Sequence, residues 1–239
     1  MTVPFYVSPE QITRDKADFA RKGIAKGKSV ILIQSKDGII FVAENPSKAL
    51  HKVSEIYDRI GFAAVGKYNE FENLRVSGIR FADLRGYAYD RSDVSARSLA
   101  NAYAQTMGTV FTEAMKPLEV EIIVAEIGEK IEQDEIFRLT FDGSVVEEKS
   151  FIAIGGENEK INEQLKQEWN SDFDIKKAIS LAYKILSQLS NGEKSLTPES
   201  LEVAILERSK IGRKFRRINQ TELKTILKDR KSTRLNSSH

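Results

Sequence analysis

Cysteine is absent from all 239 residues. Disulfides, thiolate nucleophiles and cysteine-ligated zinc are therefore excluded. Histidine is nearly absent too: His51 and His239 are the only two, so a histidine triad or a zinc site would have to rest on His51. No apolar run approaches the roughly 20 residues of a membrane helix. The opening MTVPFYVSPEQ lacks the basic region, apolar stretch and cleavage site of a secretory signal. There is no G-x-x-x-x-G-K-[ST] phosphate loop, no G-x-G-x-x-G after a strand and no G-x-S-x-G elbow. An excess of either charge is also lacking. The 37 basic and 35 acidic residues leave +2, which is no footprint for nucleic acid. These absences predict a cytoplasmic protein with no metal, no cofactor and no membrane or nucleic-acid partner.

What is present describes a globular chain. Hydrophobic residues make up 41% and charged residues 30%, enough apolar surface to bury a core and too balanced for disorder. The length suits one large domain. The last eleven residues, 229–239 (DRKSTRLNSSH), are polar and without periodicity and follow a predicted last helix. They read as an adaptor-derived scar, and without them the net charge falls to about zero. The domain is therefore expected to span 8–228.

Ser8-Pro9-Glu10-Gln11 fits a capping box that opens a helix, with Gln11 reaching back and Gly23 as terminator. That helix carries charge on most faces and only a narrow apolar stripe of Ile12, Phe19 and Ala20, so it is expected to lie on the outside. Ser29 to Gln34 and Gly38 to Ala43 flank a Lys-Asp-Gly turn, and neither alternates cleanly, as for strands covered on both faces. Ser54 to Tyr57 and Ile60 to Val65 form a second pair, whose Gly61, Ala63, Ala64 and Gly66 suggest close approach by another layer. Helices are predicted from Asn69 to Arg85 and from Asp93 to before Pro117. Strands follow over Val120 to Ile127, Ile136 to Phe141 and Ser150 to Ile154. Two helices come next, marked by Ile161, Leu165 and Trp169 and by Ile175, Ile179, Ala182, Leu186 and Leu189. The chain closes with strands Leu201 to Leu206 and Arg213 to Ile218 and a helix from Thr221 to Leu227. About nine strands, mostly in hairpins, fit an α+β fold of two stacked antiparallel sheets with helix layers outside; a two-domain α+β protein fits the same pattern.

Few residues invite chemistry. His51 reads as a surface histidine, and Gly155-Gly156 as a structural turn. Glu147-Glu148 and Asp134-Glu135 read as solvated turn charges. The basic cluster Arg213, Lys214, Arg216 and Arg217 reads as the exposed face of an edge strand rather than a phosphate patch.

Several stretches are specific. They include SPEQ (Ser8 to Gln11), ARKGIAKGKSV (Ala20 to Val30), FVAENPS (Phe41 to Ser47) and KVSEIYDRIGFAAVGKYNEFENLR (Lys52 to Arg75). RFADLRGYAYDR (Arg80 to Arg91), YAQTMGTVFTEAMKP (Tyr103 to Pro117) and SLEVAILE (Ser200 to Glu207) continue the series. In order and almost without gaps, the chain from Ser8 to about Leu227 resembles the α subunits of actinobacterial-type proteasomes. The resemblance implies a four-layer α-β-β-α sandwich of the N-terminal-nucleophile hydrolase type. It also implies a non-catalytic subunit of heptameric end rings, with partner β subunits that cleave unfolded proteins. Residues Thr2, Val3, Pro4, Phe5, Tyr6 and Val7 correspond to the gating segment, and Met115, Lys116 and Pro117 to a loop that narrows the axial pore. Lys52, with Gly27 nearby, corresponds to the pocket between subunits that receives the C-terminal carboxylate of a ring-shaped ATPase activator. The alternative is a self-processed hydrolase with Ser29 as nucleophile. It needs cleavage at Lys28-Ser29, because an N-terminal nucleophile uses its own free amine as base.

Overall fold

The first helix packs on a sheet through two small patches only. In the computed structural model, which describes residues 8–189 and 196–236 and only the backbone helix over 229–236, α1 spans Pro9–Ala25. The Ser8 hydroxyl accepts from the Gln11 N–H at 3.2 Å, and Pro9 sits in the first turn where no donor is needed. Two expectations fail. Gln11 does not reach back to the cap; its amide donates to Asp15 at 2.7 Å. Gly23 does not end the helix, which runs two residues further. Its missing side chain serves packing instead, because a Cβ there would lie 2.1 Å from Glu119 Oε2. Ile12 and Phe19 stay nearly half exposed, whereas Ala20 and Ile24 are buried.

Strands β1 (Val30–Ser35) and β2 (Gly38–Glu44) pair across the Lys-Asp-Gly turn. Strands β3 (Val53–Tyr57) and β4 (Ile60–Gly66) pair across Asp58-Arg59. Helices α2 (Tyr68–Ala88) and α3 (Ala96–Glu113) follow, the latter capped by the Ser95 hydroxyl. Strands β5 (Val120–Glu126), β6 (Glu135–Leu139), β7 (Val145–Glu148) and β8 (Phe151–Ile154) come next. Then come α4 (Asn158–Glu168), α5 (Ile175–Leu189), β9 (Leu201–Glu207), β10 (Phe215–Arg217) and α6 (Gln220–Asn236). The closing helix thus continues through residues expected to be a tail without structure.

The strands form two five-stranded sheets, ordered β10-β9-β2-β1-β8 and β3-β4-β5-β6-β7. Every neighbouring pair is antiparallel. Helices α4, α5 and α6 cover the outer face of the first sheet through Ile161, Leu165, Ile179, Ile185 and Leu223. Helices α2 and α3 cover the outer face of the second through Phe71, Leu74, Leu99, Tyr103 and Met107. Between the sheets lie Leu32, Ile39, Phe41, Ala63, Val65 and Ile123, with Ala20 and Ile24 of α1 joining this middle layer. The fold is therefore a single α-β-β-α sandwich, not two domains. Each fully buried large side chain in these layers contributes about 1.5–3 kcal/mol. Gly61 shows the predicted close approach: a Cβ on it would lie 2.8 Å from the Phe41 ring of the facing sheet.

The expected nine strands become ten among the described residues because β7 was missed. Val145 and Val146 are both more than a third exposed, so this edge strand carries no apolar alternation. Its Glu148 pairs with Arg138 at 3.3 Å and is no free turn charge. Asp134 is likewise not solvated, with a fully buried side chain 2.8 Å from Arg208. Strand β10 does lie at a sheet edge, and the arginines of the basic cluster are paired: Arg213 with Glu55, Arg216 with Glu207 and Glu222, and Arg217 with Glu202, while Lys214 donates to Arg208 O at 2.8 Å.

Candidate functional site

One end of the sandwich is closed by the segment that leaves α1. Gly27 donates its N–H to Ile24 O at 2.9 Å and accepts from the Gly156 N–H at 3.2 Å. A Cβ on Gly27 would stand 3.0 Å from Ile24 O and 3.3 Å from Gly66 N, so a side chain here would crowd the chain's own backbone. Ser29 follows and is 6% exposed.

Lys52 reaches this segment from the loop before β3. Its ammonium donates to Lys28 O at 2.6 Å, the residue that follows Gly27 in the chain. The side chain is half-buried. Burial pushes Lys52 down to about 8 against the opposing pull of Glu44 and Glu202, and the Lys28 charge adds to the lowering. Lys28 itself holds Glu44 at 2.9 Å. Lys52 is therefore a cation easily disturbed near neutral pH, with its donors aimed at a backbone carbonyl and a partly open face.

Sequence reasoning missed the residue beneath it. Glu202 of β9 accepts from the backbone N–H groups of Lys52 at 2.9 Å and Val53 at 3.3 Å. It also accepts from the Asn45 amide at 2.8 Å, pairs with Arg217 and lies 3.2 Å from His51 Nδ1. His51 is accordingly an exposed histidine partnered by an acid. Nothing local set it apart, since β9 (LEVAILE) carries a second glutamate, Glu207, at its far end.

The predicted pore loop lies between α3 and β5. Met115 is 97% exposed and Pro117 is buried. Lys116 is held by Glu70 at 2.9 Å and Glu119 at 3.0 Å, chiefly Glu70, and these bonds raise it well above an ordinary lysine. Lys116 Nζ also sits 5.8 Å from the centre of the Phe19 ring on α1. This leaves Met115 projecting from a pinned turn. The predicted gate, Thr2 to Val7, lies outside the described residues.

Ser29 lies against the turn that follows β8. Gly155 packs against it, since a Cβ there would be 3.0 Å from Ser29 Cα, and the Gly155 N–H bonds to Glu121, which burial pushes up to about 7. Yet the nitrogen of Ser29 is in a peptide bond, and Ala20 and Ile24 of the preceding helix are built into the middle layer. Among the described residues no cluster of acids and histidines could hold a metal, and no helix is long and apolar enough to cross a membrane.

Comparison with known proteins agrees with this architecture. Residues 24–206 match the family profile described as Proteasome subunit. The chain is 54% identical over 233 residues to the "Proteasome subunit alpha" of Kineococcus radiotolerans, covering 95% of this chain and 98% of that protein. It is 55% identical over 229 residues to the protein of the same name from Thermobifida fusca, covering 96% and 92%. Against that of Acidothermus cellulolyticus it is 56% identical over 231 residues, covering 95% and 99%. By these matches, over nearly its whole length, the chain belongs to the proteasome subunit family.

Proposed function

We propose that this chain is the non-catalytic α subunit of a proteasome core particle, working in the cytoplasm. Copies of it form heptameric end rings on rings of β subunits, which hold the nucleophile. Thr2 to Val7 gate the pore, and Met115, Lys116 and Pro117 narrow it so that unfolded proteins pass. Lys52, beside Gly27, receives the C-terminal tail of a ring-shaped ATPase activator.

The observation that carries this reading is α1. Ala20 and Ile24 are buried between the sheets, so the chain ahead of Ser29 is part of the fold. Releasing it would uncover that layer, and without release Ser29 has no free amine to act as its base. The relatives' name, "Proteasome subunit alpha", supports the same assignment.

The purified subunit is expected to hydrolyse no peptide by itself and to yield an active particle when co-expressed with its β partner, as read by native mass and fluorogenic peptide turnover. A stable monomer that ignores the β subunit would sink the assignment, as would N-terminal sequencing that begins at Ser29. In the active particle, deleting Thr2 to Val7 is expected to raise peptide turnover, because apolar segments that pack together at an axis obstruct it and single ones do not. Unchanged turnover would remove the gate from this segment.

A further inference from the structure

We propose that Glu202 is the positioning residue of the Lys52 site, fixing both the backbone of the lysine and its charge. This rests on the docking role proposed for Lys52. The segment from Asn45 to Lys52, between β2 and β3, contains no helix or strand. It is wound around a carboxylate that lies 150 residues away in sequence. Glu202 Oε2 takes the Lys52 N–H and the Asn45 amide, and Oε1 takes the Val53 N–H and the Arg217 guanidinium. The other ends of these donors tighten the same segment. Asn45 also donates to Leu50 O at 2.6 Å, and Arg217 to Val53 O at 2.6 Å. The Asn45 N–H goes to Ser200 O at 2.7 Å.

A neutral side chain could accept some of these bonds. What it could not supply is charge. The Glu202 side chain is only 9% exposed, and a carboxylate so placed has a substantial desolvation penalty. It stands beside a site that, on the docking reading, must receive another carboxylate, so its own repulsion opposes the ligand. That placement makes sense if Glu202 serves the lysine. The charges facing Lys52 are Glu44 from β2, Glu202 from β9 and Lys28 from the loop before β1. Arg217 of β10 and His51 share Glu202. Glu202 is thus one of two carboxylates that oppose the loss of the Lys52 proton, and the only one of the two that also holds its backbone.

The test uses the assembled particle with its β partner. Trace acetylation of lysines from neutral to alkaline pH, read at the Lys52 peptide by mass spectrometry, gives its titration midpoint, expected near 8 in the wild type. In Glu202→Gln the midpoint should fall, and amide exchange at Lys52 and Val53 should quicken. Asn45→Ala loosens the same segment without removing charge, so it should quicken exchange and leave the midpoint in place. Arg217→Met frees Glu202 from its cation and should move the midpoint up, which keeps the proposal testable if Glu202→Gln does not assemble. An unmoved midpoint in Glu202→Gln or Arg217→Met, or an equal movement in Asn45→Ala, overturns the proposal. The docking reading is judged separately, by binding of acetyl-tetraalanine with a free carboxylate against its C-terminal amide, in wild-type and Lys52→Ala particles. A carboxylate preference that survives in Lys52→Ala refutes docking at Lys52 and leaves the Glu202 result standing.

Discussion

Asp134→Ala is expected to lower the unfolding free energy of the subunit by about 3–5 kcal/mol, the cost of leaving a buried charge without its partner. Asp134 ends the short turn before β6, and its side chain is fully buried. Both its oxygens face the Arg208 guanidinium at 2.8 Å. The Gln34 amide donates to it at 2.9 Å, and the Gly128 N–H at 2.9 Å. Arg208 continues the chain after β9 and also donates to Gly128 O at 2.9 Å and Lys36 O at 3.1 Å. The first sheet and the second are therefore clasped through one ion pair, with Gln34 of β1 and Arg208 on one side and the β5–β6 connection on the other. Alanine would leave the guanidinium facing carbonyls alone and the Gly128 N–H without an acceptor, while the Gln34 amide keeps Ile131 O at 2.7 Å. Urea unfolding of the isolated subunit measures the loss as a lower midpoint. Asp18→Ala is the control, because the Asp18–Arg21 pair is 63% and 68% exposed and such pairs contribute about 0–1 kcal/mol. A loss at Asp134 no larger than the control would show that the carbonyls satisfy Arg208 by themselves.

Lys52→Ala is expected to weaken binding of the activator tail by about 1.5–3 kcal/mol, the range for a hydrogen bond to a charged group, or roughly 10- to 150-fold in Kd. Assembly and cleavage of small peptides should be unchanged, since neither passes through this site, and only ATP-dependent degradation of folded substrates should fall. The pH dependence has a definite sign. Lys52 is lowered to about 8, so it is mostly charged below that pH and neutral above it. A carboxylate needs the charged form, so tail affinity should hold below about 8 and fall as pH rises through it. Fluorescence anisotropy of a labelled tail peptide on the particle measures both effects. Wild-type affinity in Lys52→Ala particles, or a flat profile across that range, would show that Lys52 is not the anchor.

How much of this was legible depended on the period of the pattern. Strands β1, β2, β4 and β5 are largely apolar and buried on both faces, and such runs announce a layered interior. Helix α3 repeats Leu99, Tyr103 and Met107 on its buried side. Strand β7 was invisible because half of it is glutamate and its valines face solvent. The end of α1 was misplaced because Gly23 looked like a stop signal, whereas its bare Cα is filled by Glu119 from the segment before β5. The site divided in the same way. Lys52 and Gly27 were proposed from the family motif, not from their own chemistry. Glu202 carried no local signal, since a carboxylate acquires meaning only from the donors folded around it.

The amino-acid sequence alone determined what this protein could not be, and it set the order of its elements. Without cysteine, thiol chemistry and cysteine-ligated zinc were closed off. Local periodicity decided helix or strand because burial on one face or two is written every second or every third to fourth residue. The tertiary structure decided which distant groups meet. It put Asp134 on Arg208, set the Lys52 ammonium on the carbonyl before Ser29, and wrapped the Asn45–Val53 segment around Glu202. Each of these is a polar contact between residues far apart in the chain. Such contacts gain their strength from water being excluded by the packed sheets, a condition that exists only once the sheets have stacked.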